Sequence, residues 1–356
     1  MIFKIGNRIV SDKKPPLVIL EISANHQNSK KKIFTLIDKA KEIGAEAIKF
    51  QTFNLEDMTL NSNSKEFLIK KKFKNDSWNN RSLYSLYKEA QFPFAWHKEV
   101  FKYAKKKGLI CFSSVFDDYS LNFLEDLDVV AYKVASLESH HFPLLMKICK
   151  TKKPIIVSTG TLSNTEIKEL VIFLKRHAGH NFALLHCVTE YPAKNKNLNL
   201  KTIMYLKNKY NCIVGFSDHT ESIGAAISSV AFGANIIEKH FRLRDQKRSL
   251  DSSFSSDPQT MNTLIKETRN AWLSIGKIKT KIVNAEKIYK KFRRSIYATE
   301  DIKKGDKINK QNIRVVRPGY GALPKYFNKL IGKNSPITIR KNSAIKKNFL
   351  KKLKII

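Results

Sequence analysis

The chain has 356 residues, 42% of them hydrophobic, which is long enough to bury an α/β barrel of about 250 residues together with one small domain. Its formal net charge of +35 is mostly lysine spread along helix faces, at residues 30–32, 70–72, 105–107, 346–347 and 351–352, without the arginine–aromatic interleaving of a nucleic-acid platform. The reading is therefore a lysine-biased surface, ahead of steering of an anionic substrate, and it argues against nucleic acid and membrane as partners.

Eight apolar runs of strand length follow in regular order, at residues 17–22, 47–53, 109–114, 129–136, 155–159, 182–188, 212–217 and 236–241. Amphipathic stretches between them, such as 31–43 and 165–176, read as helices. Near-continuous apolar strands separated by helices predict a covered parallel sheet, and a count of eight predicts a closed TIM (β/α)8 barrel. A doubly wound open sheet is the alternative. It would want a glycine-rich turn after the first strand, where the chain has Ser23-Ala-Asn-His26. A helix opens at Asp257-Pro and runs to about Gly276, followed by a basic connector at 277–291. Short β-rich pieces with glycine and proline punctuation, at 294–306, 313–319, 330–333 and 337–342, then predict a compact domain of roughly 60 residues. The expected boundaries are 1–280 for the barrel, 281–292 for the linker and 293–356 for the small domain. Cys111, Cys149, Cys187 and Cys212 show no paired spacing, and the polar amino terminus has no signal-peptide core. Both features predict a cytoplasmic protein with reduced cysteines packed as small hydrophobes.

Two segments, Gly215-Phe-Ser-Asp-His219 and Ile237-Glu-Lys-His-Phe241, each end an apolar run with a histidine, and a small-residue helical stretch, 221–233, lies between them. That unit places His219 and His240 on adjacent parallel strands at one edge, where two imidazoles can reach one metal and leave its other positions open. In a barrel the strand carboxyl ends form the site. Those ends carry Glu21, Asn25 and His26; Lys49 and Gln51; Ser113 and Ser114; Lys133, Ser136 and Glu138; Ser158 and Thr159; His186, Thr189 and Tyr191; Ser217, Asp218 and His219; Glu238 and His240. Lys49 and Lys133 interrupt apolar strands, where an uncompensated ammonium is costly, and a bound anion would compensate it. Cations, hydroxyls and a metal pair on one rim suit a phosphorylated, carboxylated small molecule.

Glu21-Ile-Ser-Ala-Asn-His, Ala47-Ile-Lys-Phe-Gln-Thr, Ala131-Tyr-Lys-Val-Ala-Ser, Val157-Ser-Thr-Gly, the two histidine segments and Arg317-Pro-Gly resemble the sialic acid synthase family in order and spacing over nearly the whole chain. Met58-Thr-Leu-Asn-Ser, Phe67-Leu-Ile-Lys, Trp78, Leu83-Tyr-Ser-Leu-Tyr87, Pro93, Trp96-His97, Cys111-Phe-Ser-Ser and Asp251-Ser-Ser-Phe-Ser are most similar to its pseudaminic acid synthase branch. The resemblance implies a metal-dependent TIM barrel followed by an antifreeze-like SAF domain, condensing phosphoenolpyruvate with an acetamido sugar to give a nonulosonic acid and phosphate. It implies His219 and His240 as ligands of manganese or magnesium, with cobalt as a third candidate. Lys49, Lys133, Ser136, Ser158 and Ser217 match positions that hold phosphoenolpyruvate, and Ser114 and Thr189 are expected among the substrate-binding residues. Glu21, Gln51, Tyr191 and Asp251 match positions near sugar and metal, and Glu138 an acid–base carboxylate. Arg317 matches an arginine that reaches the sugar from the partner subunit, which implies a domain-swapped homodimer. Two departures stand out: Thr189 where relatives often carry Asn or Ser, and Lys133-Val-Ala-Ser-Leu-Glu in place of a more glycine-rich run. The sugar expected is 2,4-diacetamido-2,4,6-trideoxy-L-altrose, the alternatives being the precursors of N-acetylneuraminic and legionaminic acids. Outside this class stand a Schiff-base aldolase built on Lys49 or Lys133 and a basic nucleic-acid-binding protein.

Overall fold

The computed structural model describes residues 2–70, 78–246 and 248–356. Lys71 and Lys72 of the second lysine run lie outside the described residues. The chain divides into two compact units, Met1–Gly276 and Lys277–Ile356.

The first unit opens with an antiparallel hairpin, β1 (Phe3–Ile5) and β2 (Arg8–Val10). Eight strands follow: β3 (Leu17–Glu21), β4 (Ala47–Thr52), β5 (Ile110–Val115), β6 (Tyr132–Val134), β7 (Ile155–Ser158), β8 (Phe182–Cys187), β9 (Ile213–Asp218) and β10 (Ile236–His240). Each is parallel to its neighbours and β10 pairs with β3, so the sheet is a closed barrel and the open-sheet alternative is excluded. All eight apolar runs contain a strand. The run at 129–136 keeps only three strand residues, because Ser136 and Glu138 already turn toward the next helix.

Side-chain parity organises the barrel. Outward residues such as Leu20, Ile48, Phe50, Tyr132, Val157, Leu184, Phe216 and Ile237 pack under the helices. The helix Asn164–Ala178 shows why these segments form: Ser163 and Glu166 close a capping box, and Ile167, Leu170, Val171 and Leu174 make the buried stripe. Each such aliphatic side chain contributes about 1.5–3 kcal/mol on burial. Inward residues form a second cluster of Leu17, Ile19, Ala47, Phe112, Ala131, Ile156, Ala183, Leu185, Ile213 and Ile236, joined by Phe3, Ile5 and Val10 of the hairpin. The sequence reading did not foresee this hairpin, which plugs the floor where the strands begin. Gly215 is required in that interior, since a Cβ there would collide with the Ile236 carbonyl and the Leu185 side chain.

The second unit carries an antiparallel pair, β11 (Ser295–Ala298) and β12 (Ile313–Val316), around a core that includes Ile296, Ile302, Ile308, Leu330, Ile345, Phe349 and Leu350. The pieces at 330–333 and 337–342 are not strands. Leu330 ends the helix Phe327–Leu330, and Gly332 turns with φ +82°. Ile339 makes a single bridge to Ile302, between Pro336, which has no N–H to donate, and Asn342 at φ +61°. The stretch before β11 holds two short helices, Asn284–Lys287 and Ile288–Phe292, on exposed residues. Among the described residues no helix is long and apolar enough to cross a membrane.

Candidate active site

The parity that makes the lower interior apolar makes its last inward rung polar. Glu21 lies two residues after Ile19, Lys49 after Ala47, Ser114 after Phe112, Lys133 after Ala131, Ser158 after Ile156, Cys187 after Leu185, Ser217 after Gly215 and Glu238 after Ile236. Together with Gln51, Ser136, Glu138, Tyr191, His219, His240 and Asp251 they line one cavity of about 230 Å³. The rung rests on the dry layer beneath it, so its charges stand in a low-dielectric setting.

The two interior lysines are compensated unequally. Lys49 makes an ion pair with Glu21, stands 3.7 Å from Glu238 Oε2 and donates to Ser114 Oγ at 2.9 Å. Against the cost of burial, those carboxylates hold its ammonium above the usual range. Lys133 donates to Ser158 Oγ at 2.7 Å and to the Val134 carbonyl at 2.9 Å, and no carboxylate among the described residues lies in ion-pair contact with it. Burial pushes Lys133 down, with Glu238 pulling the other way. Glu238 accepts from Ser217 Oγ at 3.1 Å and, despite burial, is held below the usual carboxylate range by Lys133 and Lys49. Burial pushes Glu21 up to about 7, against the pull of Lys49. Burial likewise pushes Glu138 up to about 7, and its Oε2 has no hydrogen-bond partner among the described residues. Ser136 Oγ accepts from the Gly160 N–H at 3.1 Å, which fixes that hydroxyl on the cavity wall that Lys133 also lines.

His240 ends β10, His219 follows β9, and their ring centroids are 5.5 Å apart. The Val188 carbonyl, 3.2 Å from His219 Nδ1, can only accept, which places the proton on Nδ1 and leaves Nε2 as the donor atom toward a cation. His240 Nδ1 is buried with no hydrogen-bond partner among the described residues and lies 3.8 Å from Asp251 Oδ2. Burial, then His219, keeps His240 well below the usual imidazole value and so neutral. Phe254 packs edge-on against His240 at 4.8 Å. Among the described residues no cluster of three or more histidine, cysteine or acidic side chains forms a ready metal cage. Two imidazoles, an orphaned ring nitrogen and nearby carboxylate oxygens on Asp251 and Glu238 are nonetheless a donor set that fits a divalent first-row ion.

Of the residues singled out from the sequence, Thr189 and Arg317 do not line this cavity. Thr189 Oγ1 is buried just behind it without a hydrogen-bond partner among the described residues: a Cβ added to Gly160 would meet both that hydroxyl and Ser136 Oγ. Arg317 belongs to the second unit, exposed and with no hydrogen bond or ion pair among the described residues. Several strand-end polar residues also turn away from the cavity. Asn25 fastens the loop after β10, donating to the Phe241 carbonyl at 3.0 Å and Ser255 Oγ at 2.8 Å and accepting from Ser249 Oγ at 2.7 Å. His26 lies under Phe92, His186 reaches the Leu198 carbonyl, and Asp218 pairs outside the barrel with Lys239. Cys187, expected to be a core thiol, is buried on the cavity wall, 3.7 Å from His219 Nδ1. Glu238, a strand-end residue with no role implied by the resemblance, also lines the cavity, and its place two residues before His240 is the signal that it shares the inward face.

The NeuB family profile matches residues 36–280, and an SAF domain matches residues 293–351. The chain belongs to the NeuB family. Among similar proteins is a pseudaminic acid synthase of Campylobacter jejuni, 39% identical over 345 residues that span 96% of this chain and 98% of that one. A pseudaminic acid synthase of Helicobacter pylori is 33% identical over 334 residues, 93% of this chain and 97% of its own. Among solved structures, an N-acetylneuraminic acid synthetase from Leptospira borgpetersenii, in complex with citrate, superposes with a TM-score of 0.72 at 29% identity, covering 81% of this chain and 95% of that one. For a NeuB-family member, the interior rung at the strand ends is the place where chemistry is expected.

Proposed function

We propose that this enzyme condenses phosphoenolpyruvate with 2,4-diacetamido-2,4,6-trideoxy-L-altrose to give pseudaminic acid and phosphate. The observation that carries the reading is Lys133: a buried ammonium without a carboxylate ion-pair partner among the described residues, on a cavity wall with Ser136 and Ser158, is completed by a phosphate or carboxylate. The near-full-length similarity to pseudaminic acid synthases supports the choice of sugar.

In this reading Lys133, Ser136 and Ser158 hold the phosphate, while Lys49, Ser114 and Ser217 orient the carboxylate. Glu21, Gln51, Tyr191 and Asp251 face the sugar. C3 of phosphoenolpyruvate bonds to the aldehyde carbon of the open-chain sugar, whose oxygen takes a proton and becomes a hydroxyl. Water then adds at C2, and phosphate departs with its bridging oxygen to leave the keto group. Glu138, whose acidity lies near neutrality, supplies the proton to the aldehyde oxygen. His219 and His240 would hold manganese or magnesium, which when bound supplies a Lewis acid for a carbonyl. Residues 1–280 carry this chemistry, 281–292 link, and 293–356 form the SAF domain. A homodimer, in which the unpaired Arg317 of one subunit reaches the sugar in the other, and a cytoplasmic location complete the proposal.

Phosphate release from phosphoenolpyruvate in the presence of the trideoxy sugar tests it. Turnover that is abolished by a chelator and restored by manganese or magnesium supports the reading. Indifference to the chelator, with borohydride trapping of a pyruvate adduct on Lys133 or Lys49, would replace it with the Schiff-base alternative.

A further inference from the structure

A cleft of about 690 Å³ opens at the other end of the barrel, beside the strand starts, and it shares no lining residue with the polar rung. Its volume lies within the ~300–1,000 Å³ usual for small-molecule sites. The hairpin, the segment leading into β3, the turn before β4 and the helix Pro258–Ile275 meet there. That helix contributes Ile265, Arg269 and Trp272, which at spacings of four and three share one face, beside the stripe of Met261, Leu264 and Thr268 that it buries.

Some groups in the cleft are spent on the fold. Arg8 Nε pairs with Glu46 Oε2 at 2.8 Å, and its guanidinium donates to the Pro15 carbonyl at 2.8 Å, which ties the hairpin to the start of β4. Trp272 Nε1 donates to the Asp12 carbonyl at 3.2 Å, and that bond holds the half-buried indole against the cleft. Three cations remain unspent. The side chains of Lys13, Lys14 and Arg269 line the cleft, and none makes a hydrogen bond or ion pair among the described residues. Glu46 is the one acidic residue on the lining, and Arg8 occupies it. Other surface lysines, such as Lys30, Lys107 and Lys147, do find carboxylates. The cleft therefore sets an uncompensated positive rim beside an apolar floor of Val18, Ala45, Ile265 and the indole.

We propose that this cleft binds a nucleoside phosphate, with the base against the Trp272 indole and the phosphate among Lys13, Lys14 and Arg269. A bare phosphate would meet the cations and leave the indole uncovered, whereas an uncharged ring would do the converse; only a ligand that joins both parts uses the whole lining. The site lies outside the reaction chemistry and does not depend on which sugar the enzyme takes. Its distance from the strand carboxyl ends lets a ligand be held there without competing for the rung.

Calorimetric titration of the full chain with adenosine 5′-monophosphate, adenosine, ribose 5-phosphate and inorganic phosphate tests it. The nucleotide should bind with a Kd below about 1 mM, and each of the three fragments at least about tenfold more weakly. Trp272→Leu, and separately the exposed pair Lys14→Glu/Arg269→Glu, should each weaken the nucleotide at least about tenfold; the pair keeps the test sound if loss of the indole disturbs folding. Lys133→Met should leave nucleotide binding within about twofold, as should the control pair Lys196→Glu/Lys201→Glu, which makes the same charge change on exposed residues after β8. No binding of the nucleotide overturns the proposal. So does equal binding of ribose 5-phosphate or inorganic phosphate, which would reduce the cleft to a patch for any anion. Equal loss in the control pair would assign the binding to the general field of a chain with net charge +35, and loss in Lys133→Met would assign it to the rung; either result also overturns the proposal.

Discussion

The barrel buries lysines in two ways. On its outer face Lys239 is fully buried, and its ammonium is closed by Asp218 Oδ2 at 2.9 Å and the Thr220 carbonyl at 2.7 Å. On its inner face Lys133 is 2% exposed and, among the described residues, bonds only to a hydroxyl and a carbonyl. The outer pair is complete within the protein, and it ties together the strand ends that carry His219 and His240. The inner lysine is complete only with something from outside. Two histidines repeat the contrast. His97, behind the wall, is satisfied by the Pro93 carbonyl at 3.1 Å and Thr52 Oγ1 at 2.8 Å, whereas His240 inside leaves Nδ1 without a hydrogen bond among the described residues. Burial alone therefore does not mark a functional group; burial with an unmet partner does.

The largest effect that separates the two classes should come from Lys133→Met. Losing a desolvated charge–phosphate contact of roughly 4 kcal/mol lowers kcat/KM for phosphoenolpyruvate by about 10³-fold. The thermal midpoint should hold or rise, because an uncompensated buried charge has gone. A large fall in the midpoint would place Lys133 with the structural lysines. Lys239→Met should do the reverse, costing about 3–5 kcal/mol by leaving Asp218 buried and unpaired. Adding Asp218→Leu should recover most of that loss in denaturant titrations, and failure to recover would mean that Asp218 is needed for the turn at Thr220. The smallest effect concerns pH. Burial lowers His26 and His97 to about 4 from an unfolded value of 6.5. Between those values the unfolded chain binds the extra protons, so stability falls as pH drops from 6.5 toward 4, by roughly 3 kcal/mol for each histidine. Removing the imidazole with His97→Gln should flatten that slope in pH-dependent unfolding, and an unchanged slope would show that His97 is not the group responsible.

Legibility in the sequence followed the same physics. The eight barrel strands could be read because residues buried on both faces make near-continuous apolar runs, and Lys49 and Lys133 stood out as charges inside them. Lys239 shares such a run, and only its odd position relative to His240 says that it points outward. Phe3-Lys-Ile and Arg-Ile-Val are too short for periodicity to signal a hairpin, and their role as a floor plug depends on a barrel formed more than two hundred residues later. Leu330 and Ile339 carry strand-forming residues, but the punctuation around them, Gly332, Pro336 and Asn342, decides the backbone. Glu138 and the cavity wall it shares with Met58, Tyr87 and Phe116 arise from loops of separate strands, a juxtaposition that no local pattern encodes.

Calorimetric titration of phosphoenolpyruvate into the wild type, Lys133→Met and the Lys239→Met/Asp218→Leu double variant tests the central contrast most directly. The account predicts that the wild type and the double variant bind alike, and that Lys133→Met binds at least about 100-fold more weakly while remaining folded. Equal binding by Lys133→Met and the wild type would contradict it.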